Sequence, residues 1–563
     1  MSCAIVALTL AYVLLCLVTK PNAWGDDTGV YAPQIVRHSQ GLLKPAHFWD
    51  FGHLLWRPTG YLLWQLGKPW WSRRAGFDER QQVFNALQLP NLLSGYMVAL
   101  ASFGIAWRVS RSIIAGALVS AAFLAWNPNL ACFQTGMAYI PGLALQLAGF
   151  YLLLGNSRSQ RSRRRAWIGG TLLALSVCVW LPYLFGIPCV FLLAWLWDRT
   201  NPVWKSGESK TRLRWLGQAA TVFVLVGLCI YAVGTWQAGI RSPGQFIDWA
   251  LDAGHGYHQG NRLLRTATGL PRGMLDLGDT GLAFKRYLLH DPYARVGVVD
   301  LLRTGLWKMV LFYIGVFSLI WTLMDDRDSR PVLITLLAGG CLGVFFSISL
   351  NYAGQQERWM PFFVGLLPAT AYVFRSYRTF RLSALPFAIL LVTTCVTDFI
   401  KYRSVTSPDG KDPRFERLLA LEPLLVPNSM IGILSGADEV NTAAGEHPFH
   451  RLGRLATKDV YIVTEPSSAL SPYWPRRFAG RGLETWLNNG DVWISKRLIA
   501  EAPLIAWGWA EGDDPNLVWR NISAYFRAFV VDGDEGGADG FVRIERTPEN
   551  LMRLNGTVQG KYQ

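Results

Sequence analysis

Three short stretches of this chain carry side chains able to do chemistry. The first is Trp24–Pro58, which reads WGDDTGVYAPQIVRHSQGLLKPAHFWDFGHLLWRP. It holds the adjacent carboxylates Asp26 and Asp27, then His38, His47 and His53, then Arg57-Pro58. Two neighbouring carboxylates repel, so one holds its proton more tightly than usual, which suits proton abstraction or ligation. The local alternative is capping: an Asp ahead of a helix over 28–42 would satisfy free backbone N–H groups and favour the helix dipole. His53 and Arg57 lie four apart and share a face if helical. A surface helix explains them, and so does a phosphate or acceptor contact.

The second stretch is Gln355-Gln356-Glu357-Arg358-Trp359-Met360-Pro361. An arginine this close to an apolar run needs a partner. Guanidinium binds phosphate through paired, charge-assisted hydrogen bonds, and Glu357 could orient it. The alternative is that Arg358 snorkels and Trp359 belongs to an aromatic belt. The third stretch runs from Gly254 to Arg262 and contains His255 and His258. No carboxylate stands at a helpful spacing, so a divalent metal is not favoured. The glycines point to a loop over a cavity.

The elements that must position these residues follow from composition. The chain has 563 residues, 51% hydrophobic and 17% charged, where a soluble protein carries about 25% charged. Its apolar residues cluster in runs long enough to cross a bilayer. This is a polytopic α-helical membrane protein. The formal charge of +15 sits largely in short loops between spans, which is the positive-inside pattern and not a nucleic-acid footprint. The eight cysteines, the last being Cys395, fall in or beside apolar segments without a CxxC pair, and read as small buried hydrophobes.

Spans are expected at 3–19, 89–107, 112–127 and 136–155, then within 167–197, then at 216–234, 306–324, 331–350, 361–374 and 382–398. The stretch 167–197 is either one span or two turning near Leu181-Pro182-Tyr183. Two spans keep Arg161–Arg165, Arg199–Arg214, Arg327–Arg330 and Arg375–Arg381 on one side, so two are taken. That gives about eleven transmembrane helices, with a cytoplasmic N-terminus and external loops 20–88 and 235–305. The Trp-rich loop 20–88 reads as short amphipathic helices on the membrane surface.

From about residue 400 the pattern changes to strands alternating with helices. Strands are expected at 429–435, 459–464, 491–495, 527–531 and 541–545, with helices such as PNLVWRNISAYFR between. This implies an extracytoplasmic α/β domain, 401–563, after a membrane domain, 1–400.

An acidic pair after the first span, a surface-helical external loop and an E-R-W-x-P entry into a late span resemble the GT-C membrane glycosyltransferases. The similarity is to the dolichyl-phosphate-mannose protein mannosyltransferase type and its bacterial relatives. Here the pair is Asp26-Asp27 where an Asp-Glu or similar acidic pair is usual, and Trp359 stands where Tyr is usual. The resemblance covers roughly residues 1–400. It implies a polyprenyl-phosphate sugar donor and a glycan, lipid or protein acceptor in a bilayer, on the external face of a bacterial inner membrane. It implies a hexosyl- or pentosyltransferase with Asp26 or Asp27 as base and Arg358 and Arg57 on the donor phosphate. His53, Glu357, His255 and His258 would contact substrate, and no cofactor is called for. Two other readings remain: a transporter or flippase of lipid-linked glycans, against which few charges lie within the spans, and a scaffold presenting the C-terminal domain.

Overall fold

A computed structural model describes residues 1–19, 27–71, 79–154, 161–199, 209–252, 262–275, 306–350, 356–375, 382–404, 421, 424–426, 429–434, 459–464, 474–499, 515–531 and 540–560. Asp26, His255 and His258 lie outside the described residues.

Helices dominate. In order they are α1 (Ser2–Val18), α2 (Thr28–Ser39), α3 (Pro45–Phe48), α4 (Trp56–Trp71), α5 (Glu79–Ser110), α6 (Ile113–Leu124), α7 (Asn127–Cys132), α8 (Tyr139–Leu153), α9 (Arg161–Val179), α10 (Ile187–Arg199), α11 (Ser209–Gln237), α12 (Pro243–Asp252) and α13 (Arg262–Arg272). Then come α14 (Leu306–Met324), α15 (Arg330–Leu350), α16 (Phe363–Val373) and α17 (Leu385–Ser404). Each apolar run read from the sequence contains a helix. Among the described residues, five are long and apolar enough to cross a membrane: Gln82–Ser110, Arg212–Gln237, Trp307–Met324, Arg327–Ser349 and Leu382–Arg403. Shorter apolar helices are Ser2–Val18, Ile113–Leu124, Tyr139–Leu153 and the Leu181–Trp197 segment.

The surfaces of these helices explain their solvent. On α14 the exposed side chains are Trp307, Val310, Ile314, Phe317 and Trp321, while Phe312, Leu319 and Leu323 are buried. On α17 Leu385, Ile389, Val392, Val396 and Ile400 form a similar exposed stripe. Apolar residues at a spacing of three and four on the outside are costly in water and normal in lipid. The chain is an integral membrane protein on this evidence.

The ambiguous stretch 167–197 is broken. Helix α9 stops at Val179, a 3-10 turn occupies Leu181–Gly186, and α10 resumes at Ile187. Pro182, at the start of the turn, cannot donate a backbone hydrogen bond, so the α-helical ladder ends before it. Between α5 and α6 the chain turns tightly instead. Arg111 takes φ 58, and the Ser112 hydroxyl caps α6 by accepting from the Ala115 N–H at 3.2 Å.

Toward the C-terminus four strands form a mixed sheet: β1 (Met430–Leu434), β2 (Asp459–Thr464), β3 (Val492–Ser495) and β4 (Phe541–Ile544), ordered β2-β1-β3-β4. β1 is parallel to β2 and β3, and β3 is antiparallel to β4, with Val492 opposite Ile544. Helices α18 (Trp474–Leu487), α19 (Pro515–Arg527) and α20 (Pro548–Val558) accompany it. Its core gathers Met430, Phe478, Trp486, Ile494, Phe526 and Leu554, apart from the core that runs from Tyr12 to Tyr402. The strand expected at 527–531 does not form. α19 continues to Arg527, and only Val531 bridges to Ile544. Phe529-Val530-Val531 instead lies in the turn after α19, with Phe529 buried.

Candidate active site

Asp27 stands immediately before α2, yet its carboxylate does not cap that helix. The capping alternative is therefore set aside for Asp27. Its Oδ2 instead accepts from the Tyr31 hydroxyl at 3.0 Å and from the Tyr139 hydroxyl. Tyr31 lies one turn into α2, and Tyr139 opens α8. The next residue fixes the register: the Thr28 hydroxyl accepts from the Gly136 N–H at 3.0 Å, and the Trp56 indole donates to the Gly136 carbonyl at 2.8 Å. Thr28 and Trp56 thus engage both backbone polar groups of Gly136, next to α8.

Burial pushes the Asp27 carboxyl up in pKa. The charge that His53 carries when protonated, the Tyr139 hydroxyl, the Arg358 charge and the Tyr31 hydroxyl together outweigh it and hold the carboxyl below the usual range. Asp27 therefore stays ionised.

Beneath Tyr31 lies a second charged group. The Arg57 guanidinium sits 4.8 Å from the Tyr31 ring centroid. Its Nε donates to Gln34 Oε1 at 2.6 Å, and Nη1 lies 3.5 Å from Asp50 Oδ2. Asp50 caps the 3-10 turn Phe51–His53, accepting from the Gly52 and His53 N–H groups at 2.7 and 3.0 Å. The same oxygen lies 3.4 Å from His53 Nδ1. Burial raises the Asp50 carboxyl, but the His53 hydrogen bond, Arg57, the His53 charge and the Gly52 N–H overcome it and hold it far below the usual range. His53 and Arg57 are both buried, so the surface-helix reading of this pair gives way to an internal one.

Glu357 and Arg358 come from a 3-10 turn, Gln356–Phe362, at the head of α16. Arg358 Nε lies 3.8 Å from Glu357 Oε1, and the guanidinium lies 5.4 Å from the Trp180 ring centroid. Trp180 packs 4.5 Å from Tyr139. Contacts therefore run from Arg358 through Trp180 and Tyr139 to Asp27, then through Tyr31 to Arg57. Burial raises the Glu357 carboxyl; Arg358 opposes this and the negative Asp27 adds to it, with a net rise. Two nearby carboxyls are thus driven apart, one ionised and one inclined to keep its proton.

The break at 180–186 serves this cluster. The Tyr183 hydroxyl donates to the Tyr139 carbonyl at 2.7 Å and meets Met360 Sδ at 3.8 Å. The segment 262–275 also reaches it. Asn127 donates its side-chain amide to the Arg272 carbonyl at 3.2 Å, Gly273 packs on Trp359, and the Arg272 charge acts on Glu357.

Of the site residues read from sequence, Asp27, His53, Arg57, Glu357 and Arg358 are brought together. Tyr31, Tyr139, Trp180, Asp50 and Arg272 were missed. Only Asp50 left a signal, as a carboxylate three residues before a histidine. Among the described residues, no three of His, Cys, Asp and Glu gather in metal-ligating geometry.

No protein-family model and no curated sequence matches the chain. Solved structures do. ArnT from Cupriavidus metallidurans, bound to undecaprenyl phosphate, is 12% identical and aligns over 98% of each chain with TM-score 0.50. The apo oligosaccharyltransferase of Archaeoglobus fulgidus is 14% identical, with 94% of this chain and 73% of that one aligned and TM-score 0.48. The chain shares the fold of the ArnT structure over nearly its whole length.

Proposed function

We propose that this chain is a membrane glycosyltransferase that moves a sugar from a polyprenyl-phosphate donor to an acceptor hydroxyl on the external face. The observation that carries the reading is the Asp27 carboxylate, ionised and tied by two tyrosines, sharing one buried cluster with Arg358. In this reading the anomeric carbon is held between base and cation. The ArnT structure of like fold holds undecaprenyl phosphate, which supports a polyprenyl donor here.

In this mechanism the acceptor hydroxyl gives its proton to an aspartate as its oxygen attacks the anomeric carbon. The bond from that carbon to the phosphate oxygen breaks, and its electron pair leaves with polyprenyl phosphate. Arg358 stabilises the leaving phosphate. Arg57, already committed to Gln34 and Asp50, contributes charge at longer range. Glu357, with its raised pKa, orients Arg358 or donates to the substrate. Asp26 and Asp27 both remain candidates for the base, and Asp27 has the better-defined setting. His255 and His258 belong to the loop 235–305 that would cover the donor. The eleven-span topology, a cytoplasmic N-terminus and an extracytoplasmic domain at 401–563 complete the proposal, with a bacterial inner membrane as its setting.

The test uses purified protein and a panel of labelled polyprenyl-phosphate sugars, following release of polyprenyl phosphate. Wild type is expected to turn over at least one donor. Asp27→Asn and Arg358→Ala should each lose about 100-fold or more. No turnover by wild type across the panel removes the reading. Full activity in both Asp26→Asn and Asp27→Asn removes only the base assignment.

A further inference from the structure

His53 is buried, and its Nε2 makes no hydrogen bond among the described residues. A buried ring nitrogen without a partner is costly, and such groups recur where a partner comes and goes. The other nitrogen is defined. Nδ1 lies 3.4 Å from Asp50 Oδ1, and a carboxylate at that pH only accepts, so Nδ1 carries the proton and Nε2 is the bare acceptor.

Asp50 is itself held still. Its Oδ1 accepts two backbone N–H groups of the turn. The backbone on either side is tethered from another loop: the Trp249 indole of α12 donates to the Trp49 carbonyl at 3.0 Å, and the Tyr231 hydroxyl of α11 donates to the Phe51 carbonyl at 3.1 Å. From α9, the Cys178 carbonyl accepts from the Leu55 N–H at 3.0 Å.

The His53 ring lies 5.5 Å from the Tyr31 ring, and the Tyr31 hydroxyl is on Asp27. The charged and titratable groups around it are Asp50 and Arg57 on its own segment, Asp27 and Tyr31 at the head of α2, Cys178 on α9, Tyr231 on α11 and Arg358 beyond Asp27. Once protonated, His53 is the heaviest of the charges acting on Asp27 and favours its ionised form.

We propose that Asp50 and His53 form a proton relay behind Asp27, with Asp50 the positioning residue that keeps the proton on Nδ1 and leaves Nε2 to receive. The relay rests on the transferase reading above. The acceptor's O–H bond breaks as its C–O bond forms, and the proton goes first to the Asp27 carboxylate. Nε2 has no hydrogen bond to Asp27, so a water between them takes the Asp27 proton as it gives its own to Nε2, the neutral imidazole being a stronger base than a carboxylate. Asp50 balances the resulting imidazolium, which releases the proton to external water. Asp27 is then ionised again for the next turnover.

The first test needs no substrate. Full-length protein in lipid nanodiscs, with 15N-labelled histidine, gives ring-nitrogen spectra, and the His53→Gln difference spectrum assigns His53. A protonated Nδ1 and a bare Nε2 are expected in wild type, with loss of that single tautomer in Asp50→Ala. A protonated Nε2 in wild type, or an unchanged spectrum in Asp50→Ala, overturns the assignment. The second test is kinetic. Asp50→Asn keeps the turn cap and removes the charge, so kcat should fall about tenfold or more while donor KM stays within about twofold. His53→Asn replaces the Nδ1 donor without supplying Nε2 and should lose about 100-fold in kcat. Wild-type kcat in either variant overturns the relay. A silent wild-type enzyme would instead defeat the transferase reading, and the tautomer measurement stands apart from that result.

Discussion

The Tyr139 hydroxyl donates to the Asp27 carboxylate across 112 residues of chain. It joins the head of α2 to the first turn of α8, and it is one of the interactions that keep Asp27 ionised despite burial. Tyr139→Phe removes the donor while leaving the Tyr139 carbonyl, which receives Tyr183, in place. A lost hydrogen bond to a charged group is worth about 1.5–3 kcal/mol. The sign with pH follows from the depressed carboxyl. Its stabilising contribution is present above the ordinary carboxylate range and is lost as pH falls through the folded value. The variant should therefore be destabilised most near neutral pH, with the difference closing below about pH 4. The acid limb of its pH–rate profile should move upward. Thermal unfolding in detergent at two pH values, with turnover against pH, checks both.

Arg358 lies against Trp180 and beside Glu357. Lysine keeps the charge but loses the planar face and the paired donors. Arg358→Lys should retain part of the activity, and Arg358→Ala should lose about 100- to 1000-fold. Binding of polyprenyl phosphate should weaken in the same order. Equal binding by all three proteins would remove the arginine from the phosphate.

How much of this was legible beforehand varies with the physics. The apolar helices were, because lipid imposes a long apolar period that survives without tertiary information. So was Arg358, because a charge at an apolar boundary needs a partner. The role of Asp27 was half legible: position before a helix suggests a cap, but a tyrosine 112 residues away decides otherwise. Trp180 and Tyr139 were invisible, since aromatic residues in an apolar run read as packing. Their importance comes from the 181–186 break, which sequence marked as ambiguous and which sets Trp180 under Arg358. The strand expected at 527–531 is a turn with one bridge to Ile544, since strand preference depends on pairing partners that local sequence does not show.

Reporter fusions test the orientation derived from the basic loops. A reporter after Arg165 should read as cytoplasmic, and one after Gln563 as external. Two reporters on the same side would overturn the proposed span count and leave the internal geometry of the site untouched.

The α12 tether gives a separate prediction. Trp249 and Tyr231 hold the carbonyls on either side of Asp50, and the Phe51 ring packs 5.1 Å from Trp249 and 5.2 Å from Tyr231. Trp249→Phe and Tyr231→Phe each delete one hydrogen bond of about 1 kcal/mol and keep most of the ring packing. Turnover should fall about two- to fivefold in each. Because both losses act on one turn, the double variant should depart from additivity. Strict additivity would mean that the two carbonyls are held independently.

Gly186 closes the argument about the broken helix. It ends the 3-10 turn that follows Trp180, and a Cβ there would lie 2.2 Å from the Pro361 carbonyl oxygen and 2.5 Å from Gln146 Nε2. The first of these is backbone and cannot swing away. Gly186→Ala must therefore push the 181–186 turn from the 356–362 turn, which carries Glu357 and Arg358. Overpacking of this kind costs about 1–3 kcal/mol. The displacement falls on the Trp180–Arg358 contact, so donor affinity should drop along with stability. Gly217→Ala, on α11, meets nothing within 4 Å and serves as the control, with unfolding temperature and polyprenyl-phosphate binding both near wild type. Unchanged donor binding in a destabilised Gly186→Ala would mean that the two turns do not position Arg358 together.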